Sequence, residues 1–192
     1  MSLNISLYTI SAVLILDNEG KRLFANYYQN SQQSNHDTQL NTIQQQLKFE
    51  SQLFSKIYKV NQDIILYDNH LITYKQSNDC ILVVVAKLNE NESLIYSVLT
   101  NLFEALSILL ENTVDKSTIL EKYDLVTLAI DETIDDGIII EIDPAIIVSR
   151  VTNAPAASME INLKNIDISE KGVWNALSFA SKKLGERLQQ GL

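Results

Sequence analysis

Proline and glycine are scarce in this chain, two and five among 192 residues. That scarcity disfavours a repeat array or a loop-built sandwich, whose turns lean on both residues. It also removes the glycine-rich cradles of nucleotide sites. The sequence contains no GxGxxG, no Walker glycine loop and no GxSxG.

Cysteine and histidine are scarcer still. The single cysteine, Cys80, cannot close an internal disulfide, which fits a reducing compartment. It opens a strand-like aliphatic run, so it reads as a packed thiol. A nucleophile would need an activating base, and none is near in sequence. His36 and His70 fall in predicted loops without ligand-type neighbours at metal spacing, whereas a zinc site needs three or four ligands. The expectation is therefore a non-enzyme without metal or cofactor.

Long apolar runs are absent as well. No uninterrupted apolar run approaches the ~20 residues that cross a bilayer. The opening Met1–Ser6 has no basic leader, Ser2 argues against N-myristoylation, and Gln189-Gln190-Gly191-Leu192 carries no lipidated cysteine. Membrane association is expected only through partners or a surface helix.

Positive charge is in deficit: 15 Lys and Arg stand against 24 Asp and Glu, a net −9. An acidic body argues against nucleic acid, which requires phosphate-neutralising cations. The deficit is uneven. Residues 1–151 carry net −10 and residues 152–192 net +1, which places a domain boundary near 152.

What the chain does contain is periodic. Ser6–Leu16, rich in β-branched and aromatic residues, stops at Asp17-Asn18-Glu19-Gly20 and resumes at Lys21–Tyr28, a β-hairpin pattern. After a polar loop, Leu40, Ile43, Leu47, Phe54 and Ile57 recur at helical spacing, with Asp37 as N-cap. Three strand-like runs follow, Asp63–Tyr67, Leu71–Lys75 and Cys80–Leu88, joined by short turns as a meander.

Apolar residues from Leu94 to Leu110 then cover more than one face of a helix. A helix that is apolar around much of its girth must be buried on several sides, either by its own domain or by a partner. A short turn at Ile119-Leu120 leads into a helix marked by Tyr123, Val126, Ile130 and Ile134, with Gly137 as a left-handed C-cap. Asp143-Pro144 opens a further short helix through Val151.

The acidic string Asp131–Gly137 invites comparison with a calcium loop. Counting from Glu132 places Gly137 at the sixth position but Ile134 at the third, and counting from Asp131 places Ile142 at the twelfth. Both registers fail. Acids at a helix C-terminus oppose its dipole, so the cluster calls for a compensating contact.

Thr152–Ser158 reads as linker. Beyond it Val173, Leu177, Ala180, Leu184 and Leu188, beside Trp174, form an apolar stripe opposite Lys182, Lys183 and Arg187. That amphipathic helix packs on its own domain, lies on a membrane or docks in another chain's groove, and composition alone leaves all three open. The organisation is thus a body at 1–151, a linker at 152–169 and a helical tail at 170–192. Leu94, Val98, Leu102 and Phe103 of the apolar helix, with Trp174, Leu177, Leu184 and Leu188 of the tail, are the candidate partner-binding residues.

Three strings carry a resemblance: Ser6–Asp17, Leu128–Gly137 and Glu186–Leu192. They resemble the small subunits of coat adaptor complexes, in particular the zeta subunits of COPI coatomer, along essentially the whole chain. Sigma chains of clathrin adaptors are similar but end near Val151, so the tail favours zeta. The resemblance implies an α+β, longin-like (SNARE-like) fold, a five-stranded antiparallel sheet flanked by helices, with the tail tethered to it. It also implies a subunit held by the trunk of the gamma subunit of coatomer and joined to other coatomer subunits. Such a coat is recruited to Golgi membranes by the GTPase Arf and serves Golgi-to-ER retrograde and intra-Golgi transport. The subunit itself would be cytoplasmic and only indirectly on membrane. A free-standing longin-type regulator of a small GTPase is the competing class.

Overall fold

The computed structural model describes residues 7–28, 40–60 and 62–152. Five strands, β1 (Ile10–Asp17), β2 (Arg22–Tyr27), β3 (Ile64–Tyr67), β4 (His70–Ser77) and β5 (Cys80–Lys87), form one sheet in the order β2-β1-β5-β4-β3. Every pairing is antiparallel. The expected five-stranded antiparallel sheet is what the chain builds.

Side chains alternate between two cores. Val13, Ile15, Leu71, Leu82 and Val84 point to one face, and Ala12, Leu14, Ile72, Val83 and Val85 to the other. Period-two alternation makes this unavoidable once the strands pair. The central strand β5 is buried from Cys80 to Ala86, which requires helices on both faces.

One face is covered by α1 (Ile43–Ile57) through Phe49, Leu53 and Ile57. Its N-cap is Thr42, whose side chain accepts from the Gln45 N–H while Gln45 reaches back to the Thr42 N–H. This capping box, and not Asp37, starts the helix. Asp37 itself lies outside the described residues. The buried stripe also differs from the expected one: Ile43 and Leu47 are 68% and 48% exposed, while Glu50 is buried. The helix is rotated so that a carboxylate, satisfied from β2, lies inward.

The other face carries α2 (Glu92–Leu109), α3 (Lys116–Glu121), α4 (Tyr123–Thr133) and α5 (Pro144–Thr152). Asn91 caps α2 by accepting from Ser93 and Leu94 N–H, and Asp143 caps α5 ahead of Pro144 as expected. α2 packs on β4 and β5 below and on α4 and α5 beside it. Most of its apolar girth is thereby absorbed within the domain, while Leu94, Tyr96 and Ile108 stay exposed.

α4 stops at Thr133, earlier than expected, because Ile134-Asp135 (β6) and Ile138-Ile139 (β7) pair as a miniature hairpin. Asp136 and Gly137 form its two-residue turn, at φ 45° and 80°. An Asp-Gly pair with both φ positive is the turn that matches strand twist. Gly137 is left-handed as expected, but in a hairpin and not a helix cap.

Candidate interaction surfaces

Among the described residues no group of three or more His, Cys, Asp or Glu is placed to hold a metal. His70 begins β4, its Nδ1 2.7 Å from the Asp68 carbonyl and its ring edge-on to Phe49. Cys80 is buried, its Sγ 3.7 Å from the Val114 carbonyl. Burial first, then Asp79 and Asp115, pushes the thiol up to about 12. At neutral pH it is a protonated core thiol, not a nucleophile.

The ionisable groups that are buried tie elements together. Glu50 of α1 accepts from Arg22 Nε at 3.0 Å and Nη2 at 2.6 Å, and from the Tyr27 hydroxyl at 2.7 Å, clamping α1 to β2. Burial, followed by the Glu50 carboxylate, holds the Tyr27 phenol far above its ordinary value. Asp17 ends β1 with a fully buried side chain. It accepts from Lys116 Nζ at 2.9 Å and from the N–H groups of Glu19 and Lys21 at 2.9 and 2.8 Å. Burial acts to raise its pKa, but these donors outweigh it and the carboxyl sits below its ordinary value.

The acidic cluster finds its compensating contact in Arg150, whose Nη1 and Nη2 lie 3.4 Å from Glu132 and Glu141 carboxylate oxygens. Asp131 remains raised, by burial first and then by Asp135 and Glu132.

The surface left over is a matter of apolar and unpaired groups. Of the four candidates on α2, Val98 and Leu102 are wholly buried between sheet and helices. They contact the domain's own core and are withdrawn as partner contacts. Phe103 is half-buried under Lys75, whose Nζ lies 4.4 Å from its ring centroid. Leu94 alone of that set stays open, at 38% exposure, with Tyr96 and Ile108 also outward on α2. Trp174, Leu177, Leu184 and Leu188 lie outside the described residues, as do the linker beyond Thr152 and the tail.

Sequence reading missed the outward pair Ile43 and Leu47 on α1 by assigning both to the core.

The profile of clathrin adaptor complex small chains matches residues 9–158. The chain belongs to that family. This small chain is 42% identical to coatomer subunit zeta of Saccharomyces cerevisiae over 191 residues, covering 98% of one chain and 99% of the other. It is 34% identical to coatomer subunit zeta-1 of Homo sapiens over 179 residues, covering 93% and 92%. Its fold also matches a chain in a homology model of the full-length AP-3 complex in a stretched open conformation. The TM-score is 0.56 with 16% identity, across 74% of this small chain and 90% of that one. The longin-like architecture of adaptor small subunits is thus the fold of this protein.

Proposed function

We propose that this small chain is a non-catalytic structural subunit of the COPI vesicle coat. On this reading it binds the trunk of the gamma subunit and joins the other coatomer subunits. It works in Golgi-to-ER retrograde and intra-Golgi transport, reaching the cytosolic face of Golgi membranes only through the Arf-recruited complex. The observation that carries the reading is the 42% identity to a coatomer zeta subunit along 98% of the chain. A buried, protonated Cys80 is consistent with assembly in place of catalysis.

The contact with the trunk is drawn from outward apolar side chains: Leu94 from the original candidates, and Ile43 with Leu47 on α1. Trp174, Leu177, Leu184 and Leu188 of the tail are kept as a second docking element. Co-expression with the gamma trunk tests this. A stoichiometric pair should survive gel filtration, and Leu94→Glu or Ile43→Glu/Leu47→Glu should weaken it at least about tenfold without unfolding the chain. A chain that elutes alone beside a well-folded trunk contradicts the reading.

A further inference from the structure

α1 carries two apolar side chains that its own core does not use. Ile43 is 68% and Leu47 48% exposed, and a spacing of four puts them on one flank of the helix. At about 3.6 residues per turn the same flank comes round again at Phe54 and Tyr58. Their rings stack at 4.7 Å and pack partly against the sheet. The flank is thus a ridge, anchored at its C-terminal end and open at its N-terminal end. Residues 29–39, which lead into α1, include no apolar side chain that could cover Ile43 and Leu47.

The charge along this ridge runs against that of the body. Residues 1–151 carry net −10, yet residues 40–60 hold Lys48, Lys56 and Lys59 against a single acid, Glu50. Glu50 is buried and spent on Arg22 and Tyr27. None of the three lysines is in an ion pair among the described residues. Lys48 follows Leu47 directly and is exposed. Lys59 sits at the other end, its Nζ 5.0 Å from the Tyr58 ring centroid. Cation–π seating holds a charge in place without neutralising it. Lys56 turns away to the opposite flank, over Tyr67. The adjoining β1–β2 turn, whose Gly20 lies under Phe54, adds only the balanced pair of Lys21 with Glu19.

An exposed apolar ridge marks an interface, and the cations beside it select the sign of what docks there. We propose that this ridge docks an acidic segment of the gamma trunk. That segment is apolar at its centre, where it buries Ile43 and Leu47, and its Asp or Glu side chains reach Lys48 and Lys59. The inference rests on the coat reading and adds to it the chemistry of the partner. Lys48 and Lys59 are about three helical turns apart along α1, so the carboxylates that meet them are spaced about as far. Charge-assisted bonds at the two ends fix the register, while the apolar centre supplies most of the affinity.

The test uses the co-expressed pair, captured through a tag on the trunk. A carbodiimide condenses a lysine amine with a carboxylate in direct contact to an amide. It should join Lys48 or Lys59 to an Asp or Glu of the trunk, read by mass spectrometry of the digest. Lys48→Glu/Lys59→Glu should lower the amount of chain retained at about 150 mM salt at least about fivefold, and Lys48→Arg/Lys59→Arg should keep it. Lys75→Glu, the same kind of charge change on the α2 side of the sheet, should change retention less than about twofold. Retention of the unaltered chain should fall severalfold between about 50 and 500 mM salt.

Should the double reversal lose its fold by circular dichroism, Lys48→Glu alone is measured in its place. A pair that forms normally and is indifferent to the reversals overturns the inference and leaves the coat reading standing. So does a pair whose carbodiimide links to the trunk come only from other lysines. A well-folded trunk that never holds the unaltered chain overturns that reading, and the inference with it.

Discussion

Gly137 and Ile10 are in backbone contact across most of the described chain. The Gly137 carbonyl accepts from both the Thr9 and Ile10 N–H groups at 3.0 Å. A Cβ built on Gly137 would stand 2.5 Å from the Ile10 carbonyl oxygen. The miniature hairpin after α4 is thereby latched to the start of β1. The obstacle is backbone, which cannot swing aside, and φ of +80° disfavours any other residue.

Gly137→Ala is accordingly expected to cost about 2 kcal/mol or more in urea unfolding. A loss below about 0.5 kcal/mol would show that the latch is not needed. The control is Gly20→Ala at the β1–β2 turn. There the Cβ would press on the Phe54 ring at 2.7 Å, a side chain with some freedom to move.

The clamp between Glu50 and Arg22 gives a second prediction. Glu50→Ala strands the Arg22 guanidinium and the Tyr27 hydroxyl, and is expected to cost about 3 kcal/mol. Arg22→Met/Glu50→Leu, which removes both charges and fills the space, should recover most of that in the same measurement. Equal losses in the single and double variants would mean that packing of α1, not the ion pair, sets the cost.

Asp17 sets a pH dependence. Its folded pKa lies below the ordinary 3.8, so the proton binds the unfolded chain more readily. The stability it contributes is full above about pH 4 and is lost as pH falls through the lower folded value. Asp17→Asn keeps an acceptor for the turn N–H groups and loses only the charged bond to Lys116. It should be about 1 kcal/mol less stable at pH 7, with the gap closing toward about pH 2. A gap that is constant with pH contradicts this assignment.

Cys80 should be silent toward a disulfide-exchange reagent in the native protein. The thiol is buried and pushed up to about 12, so thiolate is scarce and inaccessible. Modification should appear only in urea, along the unfolding transition. Reaction within seconds under native conditions would place Cys80 at the surface.

Strands were legible in the sequence wherever aliphatic residues ran unbroken, as in Ile81–Val85, because burial on both faces demands them. Turns and caps with a local chemical cause were legible too: Asp143-Pro144 for α5 and Gly137 for a left-handed position. What failed was everything decided between distant elements. The inward face of α1, made by Phe49, Glu50, Leu53 and Ile57, meets partners distant in sequence, with Arg22 28 residues from Glu50, and Ile43 and Leu47 lie outside it. Val98 and Leu102 looked surplus because a single sheet face could not cover α2. The return of α4 and α5 onto its flanks, which hides them, has no signature in the helix itself. Gly137 was read in the wrong element because the pairing of Ile134 with Ile139 competes with one more turn of helix.

Whether this chain lives as a built-in coat subunit is decided most directly by its mass in cell extract. Purified through a tag under native conditions, it should be recovered in a multi-subunit assembly of defined stoichiometry that contains the gamma subunit. The account is contradicted if the native mass is that of the lone 21.7 kDa chain, with no gamma subunit recovered beside it.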